Sequence, residues 1–372
     1  MLDPKRAYNQ LPILPPNAEI DSKAILRRCI SARTAVAELR LAGRLIPDQS
    51  VLINAIPTLE AKASSEIENI VTTNDALFRQ ASLEDEDAEP ATKEALRYRT
   101  ALYRGFAEIG RRPVSARIAT ELCQTITNVV ADVRKLPGTA LKNSFTGEVI
   151  YTPPEGEARI RELLSNWERF LHDDSDLDPL VRMAVSHYQF EAIHPFHDGN
   201  GRTGRILNIL LLVEAKLLDL PTLYLSRHIL ERRADYYRLL MRVTTHQEWE
   251  PWVLYMLEAV EITAKSTTAK IGAIKQLMDA TSELVKSHHP KIYSRDLIDA
   301  LFKLPYCRIA TLVEHGIAKR QTAAVYLDTL TQSGVLNELK LGRDKLFVNW
   351  RYSDLLYGDD DDSEPNPGPT SR

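Results

Sequence analysis

Apolar side chains recur every three or four positions along most of the chain, which is the spacing of one face of an α-helix. Stretches with this spacing cover residues 21–45, 52–70, 92–128, 159–171, 178–191, 206–217, 231–243 and 250–286. The exception is 134–157, where prolines and glycines surround the short apolar run 149–151. Such a run between turn residues is typical of a short strand or hairpin. The pattern therefore predicts an all-α core that carries one small β-hairpin.

A different pattern begins near residue 290. Three short amphipathic stretches are followed by two strand-like runs, at 294–302, 309–314, 319–333, 335–339 and 345–348. Three helices and a hairpin within about 60 residues predict a winged helix-turn-helix domain. The chain beyond Tyr357 has no apolar side chain to bury, which predicts disorder. We therefore expect four parts: an N-terminal helical region (1–92), a core domain (93–285), a winged helix-turn-helix domain (290–350) and a disordered acidic tail (351–372).

Composition narrows the class of protein without fixing its function. The 372 residues carry a net charge of −4, which excludes coating of nucleic acid by bulk charge but leaves a local basic patch open. The three cysteines, Cys29, Cys123 and Cys307, form neither a CxxC zinc pair nor a disulfide framework, so a cytoplasmic location is expected. The longest apolar run, 206–213, is far shorter than the roughly 20 residues of a membrane span, so no membrane partner is expected.

One segment, HPFHDGNGRTGR at 194–205, combines groups that packing alone does not explain. It lies between two helical stretches, so it forms a loop that opens a helix, and the free N–H groups of a helix N-terminus bind anions. Gly199 and Gly201 allow the backbone to approach a ligand closely. Arg202 and Arg205 add two side chains that bind phosphate through paired hydrogen bonds. These residues indicate a polyphosphate ligand.

Two further residues of the segment suggest chemistry on that ligand. Asp198 can hold a magnesium ion that bridges phosphates. A histidine ordinarily titrates near neutral pH, so His194 is expected to take a proton from a hydroxyl group. The alternative is a metal phosphohydrolase that uses His197 and Asp198 as ligands. That site needs more ligands from other helices, and His172 and His187 lack the expected pattern.

The segment resembles the signature of Fic-domain proteins, HxFx(D/E)GNGRxxR, and every defined position matches. The resemblance implies a Fic helical core that transfers AMP from ATP to a hydroxyl side chain of a protein. It implies that His194 is the general base and that Asp198 holds Mg2+. The residues that it implies for ATP binding are Glu68, Gly199, Asn200, Gly201, Arg202, Thr203, Gly204, Arg205 and Tyr237.

Two other parts of the chain resemble elements of the same family. Residues 149–154 resemble the Fic flap, a hairpin that aligns the target segment by strand addition. The arginine that often follows the family's flap-side Pro-Gly is not evident after Pro137-Gly138. Tyr236 and Tyr237 resemble the tyrosine pair that faces adenine, and we assign the base contact to Tyr237. The alternative for either tyrosine is an ordinary core aromatic.

A short motif near the N-terminus resembles the inhibitory motif of Fic proteins, (S/T)xxxE(G/N). It is formed here by Ser64, Glu68 and Asn69. Ser64 and Glu68 are four residues apart and share one face of a helix. The resemblance implies that Glu68 reaches Arg205 and withdraws it from the γ-phosphate of ATP. The alternative is a capping box formed by Ser65 and Glu68.

The C-terminal module leaves two interpretations open. Residues 291–349 carry a net charge of +3, with Lys319, Arg320, Gln321 and Thr322 at the start of the third helix and Arg343 and Lys345 in the wing. Such a distribution suits nucleic acid. A module for dimerisation or target docking explains it equally well, so a homo-oligomer and nucleic acid both stay open as partners.

The sequence therefore favours a self-inhibited, Mg2+-dependent protein adenylyltransferase. Its partners would be ATP and a protein with an exposed Ser, Thr or Tyr, and it would also modify itself. One alternative is a DNA-binding regulator whose Fic core senses nucleotide. Another is an enzyme that both attaches AMP to its target and removes it, with Glu68 positioning water.

Overall fold

The computed structural model describes residues 3–83, 88–142, 146–341 and 344–358. Three helices form the N-terminal region: α1 (Lys23–Gly43), α2 (Ser50–Ile67) and α3 (Asn74–Leu83). The Ser22 hydroxyl caps α1 by accepting a hydrogen bond from the Ile25 N–H at 3.3 Å. Thr73 caps α3 in the same way, since its hydroxyl accepts a hydrogen bond from the Ala76 N–H at 3.1 Å.

The middle of the chain forms the helical core and its hairpin. Its elements are α4 (Pro90–Ile109), α5 (Ala116–Thr127), β1 (Leu141–Lys142), β2 (Val149–Tyr151), α6 (Glu157–Leu171), α7 (Pro179–Ile193), α8 (Asn200–Glu214), α9 (Leu225–Glu231) and α10 (Arg233–His246). Strands β1 and β2 pair antiparallel. Helix α8 is central, since it packs against α4, α5 and α7 and buries Ile206, Ile209 and Leu210 completely. The predicted all-α core with one small hairpin is confirmed.

Helix α8 differs from the prediction at both ends. We expected it over 206–217, but it begins at Asn200 and ends at Glu214. Glycine is unfavourable inside a helix, so the glycines of the segment did not predict a helical turn. In the structure Gly199, at φ +78°, is the N-cap of α8, and Gly201 lies inside its first turn. Half of the signature segment is therefore helical.

A 40-residue helix, α11 (Trp249–His288), packs along α1 and leads to the C-terminal domain. That domain contains α12 (Arg295–Lys303), β3 (Tyr306–Cys307), α13 (Ile309–Glu314), α14 (Arg320–Gln332), β4 (Asn337–Leu341), β5 (Asp344–Val348) and α15 (Trp350–Tyr357). Its strands form an antiparallel sheet in the order β3-β5-β4. The winged helix-turn-helix assignment stays a prediction, and Arg343 of the expected wing lies outside the described residues.

Helix α15 occupies the beginning of the expected tail. Tyr352 and Leu356 are fully buried, because α15 packs against α11. The boundary at 351 is therefore corrected to 358, and residues 359–372 lie outside the described part. No helix in the described ranges has the length and apolarity to span a bilayer.

The C-terminal domain contacts the N-terminal helices directly. The Tyr306 hydroxyl donates to Asp75, and the Ser82 hydroxyl donates to the Tyr306 carbonyl at 3.1 Å. Helix α12 packs against α2. The helix that carries the predicted inhibitory motif thus lies between the core and the C-terminal domain.

Candidate functional site

The first half of the signature segment connects α7 to α8, and the second half forms the start of α8. His194 ends α7 in the left-handed conformation, at φ +51°, and its N–H donates to the Phe190 carbonyl at 3.0 Å. Phe196 is buried as a pin, and the Asn200 amide both accepts from and donates to the Phe196 backbone, at 2.8 and 2.9 Å. Because the loop is bonded to itself and to the core, His194 and the start of α8 have fixed relative positions.

The first turn of α8 faces the end of α2. A Cβ atom added to Gly201 would lie 2.3 Å from the Glu68 Oε1 atom. The carboxylate therefore lies against the backbone of this turn, and only glycine allows that approach. A helix N-terminus carries unpaired N–H groups and a partial positive charge, so it favours an anion at this place.

Arg205 is enclosed by the predicted inhibitory motif. Its Nε donates to the Ser64 hydroxyl at 2.8 Å, and its Nη2 donates to the Ser64 carbonyl at 2.9 Å and to Glu68 Oε1 at 2.8 Å. The Arg205 side chain is 1% exposed and that of Glu68 is 34% exposed. Burial alone would raise the pKa of Glu68, but the charge and the hydrogen bond of Arg205 lower it below its usual range. The pair is ionised at neutral pH.

The C-terminal end of α2 also contacts helix α10. Asn69 follows Glu68 in the left-handed conformation, at φ +62°. Its Oδ1 accepts a hydrogen bond from Arg233 Nη1 at 3.2 Å, and the Arg233 guanidinium lies over the ring of Tyr237 at 5.8 Å. Tyr237 is 45% exposed, whereas Tyr236 is buried. Of the two tyrosines, only Tyr237 has an exposed face for a ligand.

Arg202, near the N-terminus of α8, has a different set of partners. Its guanidinium, which is almost fully buried, donates to Glu94 of α4 and lies 3.3 Å from Asp198 Oδ1. The Asp198 carboxylate is 73% exposed and accepts a hydrogen bond from the Gly199 N–H at 2.6 Å. Sequence reasoning missed Glu94, because a partner 108 residues away in the chain leaves no local pattern.

The His194 side chain is half-buried beside these groups. Burial and the nearby Arg134 guanidinium lower the pKa of His194 to about 4, although Glu68 and Asp198 act in the opposite direction. The imidazole is therefore neutral at pH 7 and able to accept a proton.

Thr203 and Gly204 lie on the core side of α8. Thr203 is fully buried, and a Cβ atom on Gly204 would lie 2.4 Å from Glu191 Oε1 and 3.3 Å from the His187 ring. Gly204 therefore lets α8 approach α7 closely. The contact of these two residues with ATP stays a prediction.

Glu60 of α2 is a further residue near the site that the sequence did not indicate. Glu60 is buried and accepts hydrogen bonds from the Tyr98 hydroxyl at 3.0 Å, from the Ser226 N–H at 2.9 Å and from the Ser226 hydroxyl. It shares a helix face with Ser64 and Glu68, since the three follow at intervals of four residues. Glu60 thus anchors the face that carries the inhibitory motif.

The described residues do not support the phosphohydrolase alternative. His197 is exposed, and within these residues no three His, Cys, Asp or Glu side chains gather to hold a metal ion.

Comparison with protein families agrees with this architecture. The model of the Fic/DOC family N-terminal region matches residues 26–107, and the Fic/DOC family model matches residues 116–212. A third model, the C-terminal domain of SoFic-like protein adenylyltransferases, matches residues 277–352. The chain contains a Fic/DOC family N-terminal domain and a Fic domain.

Relatives of this Fic protein share only part of their length with it. It is 35% identical over 131 residues to protein adenylyltransferase fic-1 of Caenorhabditis elegans, which is 35% of this chain and 24% of the relative. It is 28% identical over 147 residues to protein adenylyltransferase Fic of Nematostella vectensis, covering 40% of this chain and 33% of the relative. The chain thus spans about a quarter to a third of these curated relatives.

Solved structures show the same fold over a longer range. A Fic family protein from Desulfovibrio desulfuricans matches with a TM-score of 0.56 at 19% identity, covering 90% of this chain and 98% of that protein. A Fic-domain signalling protein from Bacteroides thetaiotaomicron matches with a TM-score of 0.51 at 18% identity, covering 65% and 95%. At this identity the likeness concerns the fold alone.

Proposed function

We propose that this Fic protein is a protein adenylyltransferase, which transfers AMP from ATP to a Ser, Thr or Tyr hydroxyl of a target protein and to itself. The observation that carries the proposal is the fixed placement of a neutral His194 beside a helix N-terminus with Arg202 and Arg205. A general base next to a group of phosphate-binding donors suits the attack of a hydroxyl on a phosphorus atom. The names of the curated relatives support the same reaction class.

In the proposed reaction His194 takes the proton of the target hydroxyl. The hydroxyl oxygen forms a bond to the α-phosphorus of ATP, and the bond from that phosphorus to the bridging oxygen of the β-phosphate breaks. AMP stays on the target and pyrophosphate leaves. The N–H groups of Asn200 and Gly201 and the Arg202 guanidinium would hold the phosphates, because each donates hydrogen bonds to anions.

Asp198 suits the predicted Mg2+ ion. Its carboxylate is exposed next to the N-terminus of α8. Magnesium in nucleotide sites is held by one or two carboxylates together with phosphate oxygens. The ion would neutralise charge on the polyphosphate. The Gly199 N–H orients Oδ1 of Asp198 at 2.6 Å, while Oδ2 has only a long hydrogen bond of 3.4 Å from Arg202 Nη2, which the ion would replace.

The position of Glu68 supports the proposed self-inhibition. Its carboxylate approaches the first turn of α8 and bonds Arg205, so it occupies an anion position that a phosphate would need. ATP would then bind without the Arg205 contact and in a displaced pose. Removal of Glu68 would free the position and remove the ionic partner of Arg205, whose hydrogen bonds to Ser64 stay in place.

The function is tested with ATP labelled on the α-phosphate. The His194→Ala variant, made together with Glu68→Gly, should lose about 10² to 10⁴ in the rate of AMP transfer while it still binds ATP. His197→Ala is the matched control, because His197 is an exposed histidine of the same loop. Near-normal transfer by His194→Ala would remove the base from the mechanism. Binding of ATP with no transfer by any variant would favour the nucleotide-sensing regulator instead.

A further inference from the structure

Arg134 is a buried cation in the loop between α5 and β1. Its side chain is 1% exposed, and backbone carbonyl groups bind its guanidinium. A buried charge is costly unless it is hydrogen-bonded, so a position that retains one needs a physical reason.

The first set of contacts joins Arg134 to the turn that presents His194. Its Nε donates to the His194 carbonyl at 2.8 Å, and its Nη2 donates to the Ile193 carbonyl at 3.2 Å. The Arg134 N–H also donates to the Pro195 carbonyl at 2.9 Å. The last carbonyls of a helix lack partners within the helix and form the negative end of its dipole. Arg134 therefore caps α7 at the residue that bears the imidazole.

The second contact joins the same guanidinium to the hairpin. Nη2 of Arg134 also donates to the carbonyl of Pro154, in the segment that leaves β2. A second contact joins the two ends of the hairpin, because the N–H of Gly138, which precedes β1, donates to Oε1 of Glu155, which follows β2, at 3.1 Å. One side chain thus connects the turn of the base to the foot of the flap.

We infer that Arg134 is a positioning residue that holds the flap and the His194 base in a fixed relative placement. This inference rests on the proposed function, in which the flap holds the target segment and His194 takes its hydroxyl proton. A displacement of about 1 Å between reacting groups can cost a hundredfold in rate. A planar guanidinium directs donors toward several carbonyls at once, whereas a lysine ammonium is a single point charge.

Arg182 offers a matched control. It too donates to backbone carbonyls at the end of a helix, to Phe170 and Leu171 of α6 at 2.9 and 3.2 Å and to Asp173 at 2.6 Å. It has no hydrogen bond to the signature loop or to the described part of the flap. A substitution of Arg182 removes a similar helix cap and leaves the hydrogen bonds of the flap and of His194 unchanged.

The experiment compares Arg134→Gln, Arg134→Lys and Arg182→Gln in full-length protein that carries Glu68→Gly. We expect Arg134→Gln to lower kcat for AMP transfer by about ten- to a hundredfold with KM for ATP unchanged, and Arg134→Lys to recover part of the loss. Arg182→Gln should lower Tm and leave kcat unchanged. Equal kcat for the two glutamine variants, or a loss that follows Tm, would overturn the inference.

Hydrogen exchange supplies a readout that is independent of activity. The amides of residues 149–152 and of Glu155 should exchange at least threefold faster in Arg134→Lys, and faster still in Arg134→Gln, but not in Arg182→Gln. Unchanged exchange in both Arg134 variants would refute the coupling even if no variant transfers AMP. If the Glu68→Gly parent binds ATP and transfers none, the proposed function fails, and the exchange data still decide the role of Arg134.

Discussion

Replacement of Glu68 by glycine should raise AMP transfer. The carboxylate is bonded to Arg205, whose guanidinium also donates to the hydroxyl and the carbonyl of Ser64. Glycine removes the one contact that carries charge and leaves both Ser64 contacts in place. It also empties the space against Gly201, where Glu68 Oε1 now lies. The variant thus frees a phosphate position without dismantling the site.

The magnitude follows from the type of contact. A hydrogen bond between charged groups contributes about 1.5–3 kcal/mol. The Glu68 side chain is 34% exposed, so solvent screens the pair and the lower half of that range applies. Since about 1.4 kcal/mol is a factor of ten, we expect an increase of roughly tenfold in the transfer rate at saturating ATP.

The assay follows α-labelled phosphate from ATP into protein, first in the purified chain and then in a cell lysate. Glu66→Gly is the control, because Glu66 is a glutamate of the same helix end that pairs with Lys62 at 3.6 Å and not with Arg205. The double variant Glu68→Gly, Arg205→Ala should behave like Arg205→Ala, because a released position is of no use without its phosphate ligand. Equal transfer by wild type, Glu66→Gly and Glu68→Gly would refute the inhibitory contact.

Two further predictions concern the residues around this contact. Asn69→Gly should retain inhibition, because glycine adopts φ +62° freely. Asn69→Ala should lower the free energy of unfolding by about 1 kcal/mol and raise AMP transfer, because alanine is strained in that conformation. Urea unfolding and the labelling assay measure the two effects, and equal results for the two variants would contradict this prediction. Tyr306→Phe should lower the free energy of unfolding by about 1 kcal/mol, since it removes a hydrogen bond to the half-exposed carboxylate of Asp75. An unchanged urea midpoint would show that this contact does not stabilise the docked C-terminal domain.

The signature loop could be predicted from sequence because its chemistry is contiguous. His194, Asp198 and Arg205 lie within twelve residues, at the end of α7, in the loop and in the first two turns of α8. The pairing of Glu68 with Arg205 was implied by the family resemblance, and the structure shows the contact itself. No spacing rule links residues 137 positions apart, so this contact was beyond reasoning from the residues alone.

The residues that were missed are those defined by tertiary packing. Arg134 binds carbonyls 20, 59 and 60 positions away, and Glu60 receives hydrogen bonds from Ser226 across 166 positions. Both looked like ordinary charged residues in the sequence. Helix α15 was missed for a different reason, because its short apolar pattern precedes an acidic run that dominates the composition of the tail.

The helix that leads into the predicted inhibitory motif is held unevenly along its length, and this bears on how the proposed inhibition would be relieved. Glu60 is fully buried with three hydrogen bonds, whereas Glu68 lies one residue beyond the last residue of α2 and is one-third exposed. Buried hydrogen bonds open only when the surrounding packing opens, while a chain segment at a helix end moves at low cost. The Glu68 contact can therefore break while Glu60 keeps α2 docked between the core and the C-terminal domain. Loss of the ionic contact with Arg205 then needs only a local change at the junction of α2 and α3, while the hydrogen bonds from Arg205 to Ser64 and the fold of the core stay intact.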